Sequence, residues 1–189
     1  LYGSPTRTIK NIGHYFQEGI TWTAISSGNL SVRYSPVGHI FSNAGMKVFN
    51  SNHPELIQDL AFLNSKIAEY MISCLSQTLN FDAGLIARMP LLRSPATEPL
   101  ARKLIERYKS DWDRFEVSWD FQALPWTSSK PGINIEQTYQ DWLDKCREEM
   151  ILVSEVESKN NRILINAYGL QSEITSEVPA SQITLTINP

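Results

Sequence analysis

One stretch limits the fold more than any other. Leu56, Leu60, Leu63, Ile67 and Met71 recur at helical spacing, and Ile57, Ala61, Ala68, Ile72 and Leu75 widen the stripe. A helix with so broad an apolar face must bury it, because solvating ten such side chains forfeits the main driving force for folding. Asn52 or His53 can cap its start, with Pro54 in the first turn and Glu55 favourably placed near the positive end of the helix dipole. The preceding residues offer the surface to bury it against. Ile20-Thr-Trp-Thr-Ala-Ile25 is rich in β-branched and aromatic residues, and Leu30-Ser-Val-Arg-Tyr34 alternates apolar and polar. His39-Ile-Phe41 and Met46-Lys-Val-Phe49 follow, and small-residue turns separate the four stretches. This part of the chain reads as a meander or partly closed sheet under one long helix.

Beyond it, Leu79-Asn-Phe81 and residues 85–92 read as a strand and an extended segment ending near Pro90. The texture changes after Arg93. Pro95 and Pro99 bracket a helix start, residues 100–115 are charged and helix-prone, and residues 116–134 form an aromatic, proline-containing loop. A long helix is expected from about 135 to 159, with Asn160 and Asn161 able to interrupt it and Gly169 able to stop it. A strand-like run covers 183–187. The expected class is therefore α+β. A small twisted β region packed on a helix occupies 1–93, and a helical spacer or docking region with a strand-like tail occupies 94–189.

Charge divides along the same line. Residues 1–93 carry seven basic and five acidic side chains, and residues 94–189 carry ten and fifteen, within a net charge of −3. A polyanionic partner would meet the first half. Hydrophobic residues at 42 % and charged residues at 20 % indicate a soluble globular chain, with no run long enough to span a membrane. The two cysteines, Cys74 and Cys146, lie far apart on helical patterns and read as isolated, buried or half-buried thiols of a reducing cytoplasm. The three histidines share no metal-ligand spacing. The beginning at Leu1 and the end at Pro189 both look cut, so the chain reads as a piece of something larger.

Several chemistries lack their motifs. There is no glycine-rich loop for S-adenosylmethionine and no Asn/Asp-Pro-Pro-aromatic motif to hold a target amine. No phosphate-cradling loop and no Gly-x-Ser-x-Gly elbow occurs. Glu157-Ser-Lys159 matches only the tail of a nuclease motif and sits in a helical pattern, where a solvated face is the plainer reading. The chain by itself reads as non-catalytic, with no cofactor site.

Five stretches carry a resemblance. They are Tyr15-Phe-Gln-Glu-Gly-Ile-Thr-Trp-Thr-Ala-Ile-Ser-Ser27, Arg33-Tyr-Ser-Pro-Val-Gly-His-Ile-Phe41, Leu60-Ala-Phe-Leu-Asn-Ser-Lys-Ile-Ala-Glu-Tyr70 with Thr78-Leu-Asn-Phe-Asp-Ala-Gly-Leu-Ile-Ala87, Arg162-Ile-Leu-Ile-Asn-Ala-Tyr-Gly-Leu170, and Glu177-Val-Pro with Ile183-Thr-Leu-Thr-Ile-Asn-Pro189. In this order they resemble the C-terminal, target-recognition part of the PglX family, the adenine-specific DNA methyltransferases of BREX phage exclusion. More distantly, the order of a β region, a helix carrying Phe62-Leu-Asn-Ser65 and then Ile86-Ala-Arg-Met-Pro-Leu-Leu92 resembles specificity domains of type I and TaqI-like restriction–modification systems.

The resemblance implies a DNA-recognition module of a cytoplasmic antiviral-defence enzyme, with double-stranded DNA as partner. A methyltransferase domain earlier in the parent chain would bind S-adenosylmethionine and flip adenine. It also leaves open a structural role, in which this piece docks that domain or other phage-defence subunits; the acidic second half favours that role for 94–189.

Base and phosphate contacts call for Arg, Lys, Asn, Gln and hydroxyl side chains on turns or element ends. The candidates of these types are Ser26, Ser27, Asn29, Arg33, Tyr34, Asn43, Lys47, Arg88 and Arg93. Each has a plainer reading, since Asn29 and Asn43 suit turns without any ligand. Trp22 and Trp119 read as core.

Overall fold

The computed structural model describes residues 9–76, 78–127 and 134–185. The chain divides into two compact units, Leu1–Pro95 and Ala96–Pro189.

The first unit is built on three short antiparallel strands, β1 (Gly19–Thr23), β2 (Val32–Ser35) and β3 (Gly45–Val48). Their order is β2-β1-β3, which rules out the meander of the two arrangements expected: β1 lies in the centre and β3 pairs with β1 rather than with β2. The register sets Thr21 opposite both Arg33 and Lys47, with Ile20 opposite Tyr34 and Val48. Residues 39–41, expected as a strand, join no ladder. The chain turns there instead, and the Ser42 hydroxyl accepts from the amides of Ala44 and Gly45, both at 3.3 Å.

The apolar stripe forms two helices rather than one, α1 (His53–Leu63) and α2 (Lys66–Leu75). Asn52 caps α1 through its side chain, and its own backbone amide is taken up by Asn50 Oδ1 at 2.9 Å. The Asn52 Oδ1 accepts from the Glu55 amide at 3.4 Å, and its Nδ2 donates to the Glu55 carboxylate at 3.0 Å. The break falls at Asn64 and Ser65. Ser65 is buried, donates through Oγ to the Phe62 carbonyl at 2.6 Å and accepts from the Ala68 amide at 3.3 Å, capping the new helix. Helical periodicity runs through this break unchanged, so the stripe alone could not reveal it.

Leu56, Ile57, Phe62, Ile67 and Ile20 are fully buried, and α1 lies against β1 and β2. Burial of each contributes roughly 1.5–3 kcal/mol. Trp22 is core as expected, and its indole N–H donates to the Phe81 carbonyl at 2.7 Å. Residues 79–81 add one bridge, Ile25 to Asn80, and no full strand. Residues 85–89 also depart from the extended expectation. Asp82 accepts from the Leu85 amide at 2.8 Å and starts a short helix, α3 (Ala83–Ala87), which turns Leu85 and Ile86 into the core.

The second unit pairs α4 (Glu98–Trp112) with the 34-residue α5 (Ile135–Tyr168). Asn160 and Asn161 do not interrupt α5. Both are buried, and Asn161 donates to the Ser176 carbonyl at 3.4 Å, so it holds the returning tail instead of opening the helix. Gly169, at φ 71°, ends α5. The tail runs back along it through Ser154 Oγ to the Val178 carbonyl at 2.7 Å and the Val178 amide to Ser158 Oγ at 3.0 Å. Val178, Ile183 and Leu185 pack on Val153. Residues 183–185 form no strand, and the Ile183 amide closes a turn on the Ala180 carbonyl at 3.1 Å; 186–187 lie outside the described residues. Trp119 is not core but 94 % exposed. The portion of the aromatic loop at 128–133 also lies outside the described residues.

Candidate nucleic-acid interface

Strand alternation decides which side chains share a face. Ile20 and Trp22 face the helices, so Thr21 points to the opposite side. Residues directly opposite in antiparallel strands share a face. The register therefore sets Arg33, Thr21 and Lys47 in one row across the three strands, on the side away from α1. Two strand spacings separate the cations at the backbone, about 10 Å. The Thr21 hydroxyl donates to the Met46 carbonyl at 2.7 Å, which leaves it an acceptor toward the face.

Lys47 is held in place. A Cβ at Gly19 would lie 2.4 Å from the Val48 carbonyl and 2.7 Å from Lys47 Cε, so only glycine lets the lysine stem cross here. The ammonium donates to the Gln17 carbonyl at 2.6 Å and sits 5.6 Å from the centre of the Phe49 ring. Burial pushes its pKa down, and the nearby Glu18 carboxylate pushes it back up. Phe49 belongs to an aromatic group: His14 stacks on it at 4.9 Å, Phe41 meets it at 5.3 Å, and Tyr15 meets Phe41 at 5.4 Å. Arg33 is exposed and has no side-chain partner among the described residues. The face thus offers one fixed and one unengaged cation beside an aromatic group.

The other sequence candidates divide into engaged and open. Arg93 forms a two-pronged bridge to Asp59, Nε to Oδ1 at 2.7 Å and NH2 to Oδ2 at 3.1 Å, with Glu55 3.3 Å from NH1. Asp59 is buried, so this arginine first serves to neutralise it. Asn29 donates to Glu69 at 2.8 Å. Tyr34 donates to Glu18 at 2.8 Å, and His53 Nδ1 meets the same carboxylate at 2.9 Å. Ser26 accepts from the Gly28 amide at 3.2 Å within its turn. Ser27, Asn43 and Arg88 are exposed. The register joins only Arg33 and Lys47 of the nine. Thr21 and Gly19 were missed by the sequence reading, although strand parity alone places Thr21 on the face opposite Ile20 and Trp22.

In the second unit a cleft of 240 Å³ is lined by Glu106, Arg107, Asp111, Arg114 and Glu149 among others. Its arginines are paired within the lining, Arg107 to Glu149 at 2.6 Å and Arg114 to Asp111 at 3.5 Å. Glu157 of the nuclease-like tail accepts from Tyr108 at 2.7 Å. Cys74 is exposed rather than half-buried, Cys146 is buried, and both are free thiols. No group of three or more His, Cys, Asp or Glu among the described residues could hold a metal ion. No described helix is long and apolar enough to cross a membrane.

The mixed α+β class is the one expected from the sequence, and relatives give the resemblance its class: the chain is homologous to a segment of adenine-specific methyltransferases. It is 37 % identical over 168 residues to the adenine-specific methyltransferase PglX of Lacticaseibacillus casei (strain Zhang), covering 86 % of this chain and 14 % of the relative. It is 35 % identical over 183 residues to the adenine-specific methyltransferase BrxX of Escherichia coli O9:H4 (strain HS), covering 95 % of this chain and 15 % of the relative. The chain thus spans a small part of the length of these relatives. No protein-family model matches it.

Proposed function

We propose that this chain is the DNA-recognition segment of an adenine-specific DNA methyltransferase of phage defence, acting in the cytoplasm, and that its first unit contacts double-stranded DNA. The observation carrying the reading is the row Arg33–Thr21–Lys47, which presents two cations on a sheet face whose opposite side is core. Phosphate contacts fix register, and an unengaged arginine can pair with two acceptors of a guanine edge. Ser26, Ser27, Asn29, Tyr34, Asn43, Arg88 and Arg93 are secondary candidates, with Arg93 the weakest because Asp59 holds it. S-adenosylmethionine and the flipped adenine belong to the remainder of the parent enzyme.

The test is DNA binding by the full-length enzyme at two salt concentrations. Lys47→Ala should weaken binding to all sequences and flatten the salt dependence by about one unit of slope; Arg33→Ala should cost about 1–3 kcal/mol and relax one position of the site. Unchanged affinity and site choice in both variants would overturn the reading.

A second reading applies to the second unit. Trp112, Phe115, Val117 and Trp119 are exposed beside Asp113, Glu116 and Asp120. Carboxylates repel DNA, whereas exposed aromatic rings are common anchors of protein interfaces. We assign this unit to docking, with the methyltransferase domain of the same parent chain as occupant and other phage-defence subunits as alternatives. Trp119→Ala should weaken that association without changing the adenine chosen; an intact association would remove the assignment.

A further inference from the structure

Phe16 has a left-handed backbone, φ 64°, which a bulky side chain rarely adopts. Such strain persists only where neighbours enforce it, and it concentrates at functional positions. Here two main-chain bonds enforce it. The Phe16 amide donates to the His39 carbonyl at 3.2 Å, and the Gly38 amide donates to the Phe16 carbonyl at 2.9 Å. The residue nevertheless remains 61 % exposed. Its strain is therefore not repaid by deep burial. Val37 and Ile40, on the turn that clamps it, are 70 % and 63 % exposed.

The surroundings select the partner. The next residue, Gln17, supplies the carbonyl that anchors the Lys47 ammonium at 2.6 Å, and Tyr15 meets the ring edge-on at 6.4 Å. Glu18, the nearest carboxylate in sequence, is taken up by Tyr34 and His53. A projecting aromatic ring backed by a fixed cation and an aromatic group suits a nucleic acid base, because stacking and phosphate attraction then act on adjacent parts of one ligand. We infer that Phe16 is a base-contacting wedge: its ring stacks on, or inserts beside, a base of the bound duplex outside the target adenine. Apolar side chains inserted at a base step unstack it locally. The inference rests on the proposed DNA contact of the first unit.

The experiment uses the full-length enzyme and duplexes carrying 2-aminopurine at successive positions flanking the target adenine. Wild type should brighten one of these positions on binding. Phe16→Ala should abolish that signal and weaken binding about 10-fold or more, whereas Phe16→Trp should keep both. Phe16→Gly suits the backbone conformation, so it should keep or raise the melting temperature while losing the signal, which separates a contact role from a folding role. If Arg33→Ala and Lys47→Ala weaken binding while Phe16→Ala and Phe16→Gly leave fluorescence and affinity unchanged, the wedge is refuted and the DNA reading stands. If no variant of the three positions affects binding, the DNA reading itself fails.

Discussion

The side-chain amide of Asn64 pairs with the main chain of Val32 as another strand would. Its Oδ1 accepts from the Val32 amide at 2.9 Å and its Nδ2 donates to the Val32 carbonyl at 2.8 Å. Val32 lies on the edge strand β2, where an unpaired amide and carbonyl would invite pairing with another chain. One residue thereby ends α1, closes the sheet edge and fixes the distance between sheet and helix. Arg33, the next residue along β2, inherits its position from that contact.

Asn64→Ala should leave both Val32 groups unpaired and destabilise the chain by about 1–3 kcal/mol. Asn64→Asp keeps the acceptor, loses the donor and sets a charge against the carbonyl, so it should be no better. Denaturant unfolding checks this: the midpoint should fall at constant slope. An unchanged midpoint in both variants would mean that the pairing adds nothing.

Gly19→Ala tests how Lys47 is held. The added methyl meets the Val48 carbonyl at 2.4 Å, and backbone cannot move as a flexible side chain can. A cost of about 1–3 kcal/mol is expected from overpacking, read as a lower melting temperature, together with weaker DNA binding by the full-length enzyme. A variant as stable as wild type would show that the strands separate here at no cost.

Arg93 and Arg33 should separate by phenotype. Asp59 is buried and accepts both bonds from Arg93, so Arg93→Ala should cost about 2 kcal/mol of stability and leave the choice of methylated adenine unchanged. Arg33→Ala should do the reverse, since its exposed side chain has no partner among the described residues. Melting curves and methylation mapping on the two variants distinguish the roles.

The second unit carries a pH signature. A hydrogen bond from Lys109 and another from Ser118 hold the Asp113 carboxyl below its ordinary pKa. A group depressed in the folded state stabilises it above the unfolded pKa and loses that contribution as pH falls through the folded value. Thermal stability should therefore decline below about pH 4, and Asp113→Asn should flatten that acid limb. Its neighbour Lys109 is raised by Asp113 and Asp120, so its contribution disappears only on the alkaline side. An acid limb identical in wild type and Asp113→Asn would remove this carboxylate from the balance.

What the residue pattern reveals here is periodicity and composition, and what it hides is pairing. The apolar stripe from Leu56 to Leu75, the core position of Trp22 and the stop at Gly169 follow from spacing and backbone preference. The central position of β1 does not, because three short strands of similar character pair in several orders with nearly equal local cost. The helix break needed Asn64 to find Val32, 32 residues away. Trp119 misled because aromatic residues are usually buried, and nothing local marks a ring that stays exposed. Among the candidate contacts, residue type selected Arg93 as readily as Arg33. Only the three-dimensional position of Asp59 sets them apart.

The central claim is that the first unit chooses the DNA site. It is tested most directly by exchanging residues 15–93 between two related full-length methyltransferases of different specificity and mapping the methylated adenines across a genome. The methylated sequence should follow the exchanged segment, wholly or at the positions it reads. Hybrids that remain active and methylate the recipient's original site would contradict it.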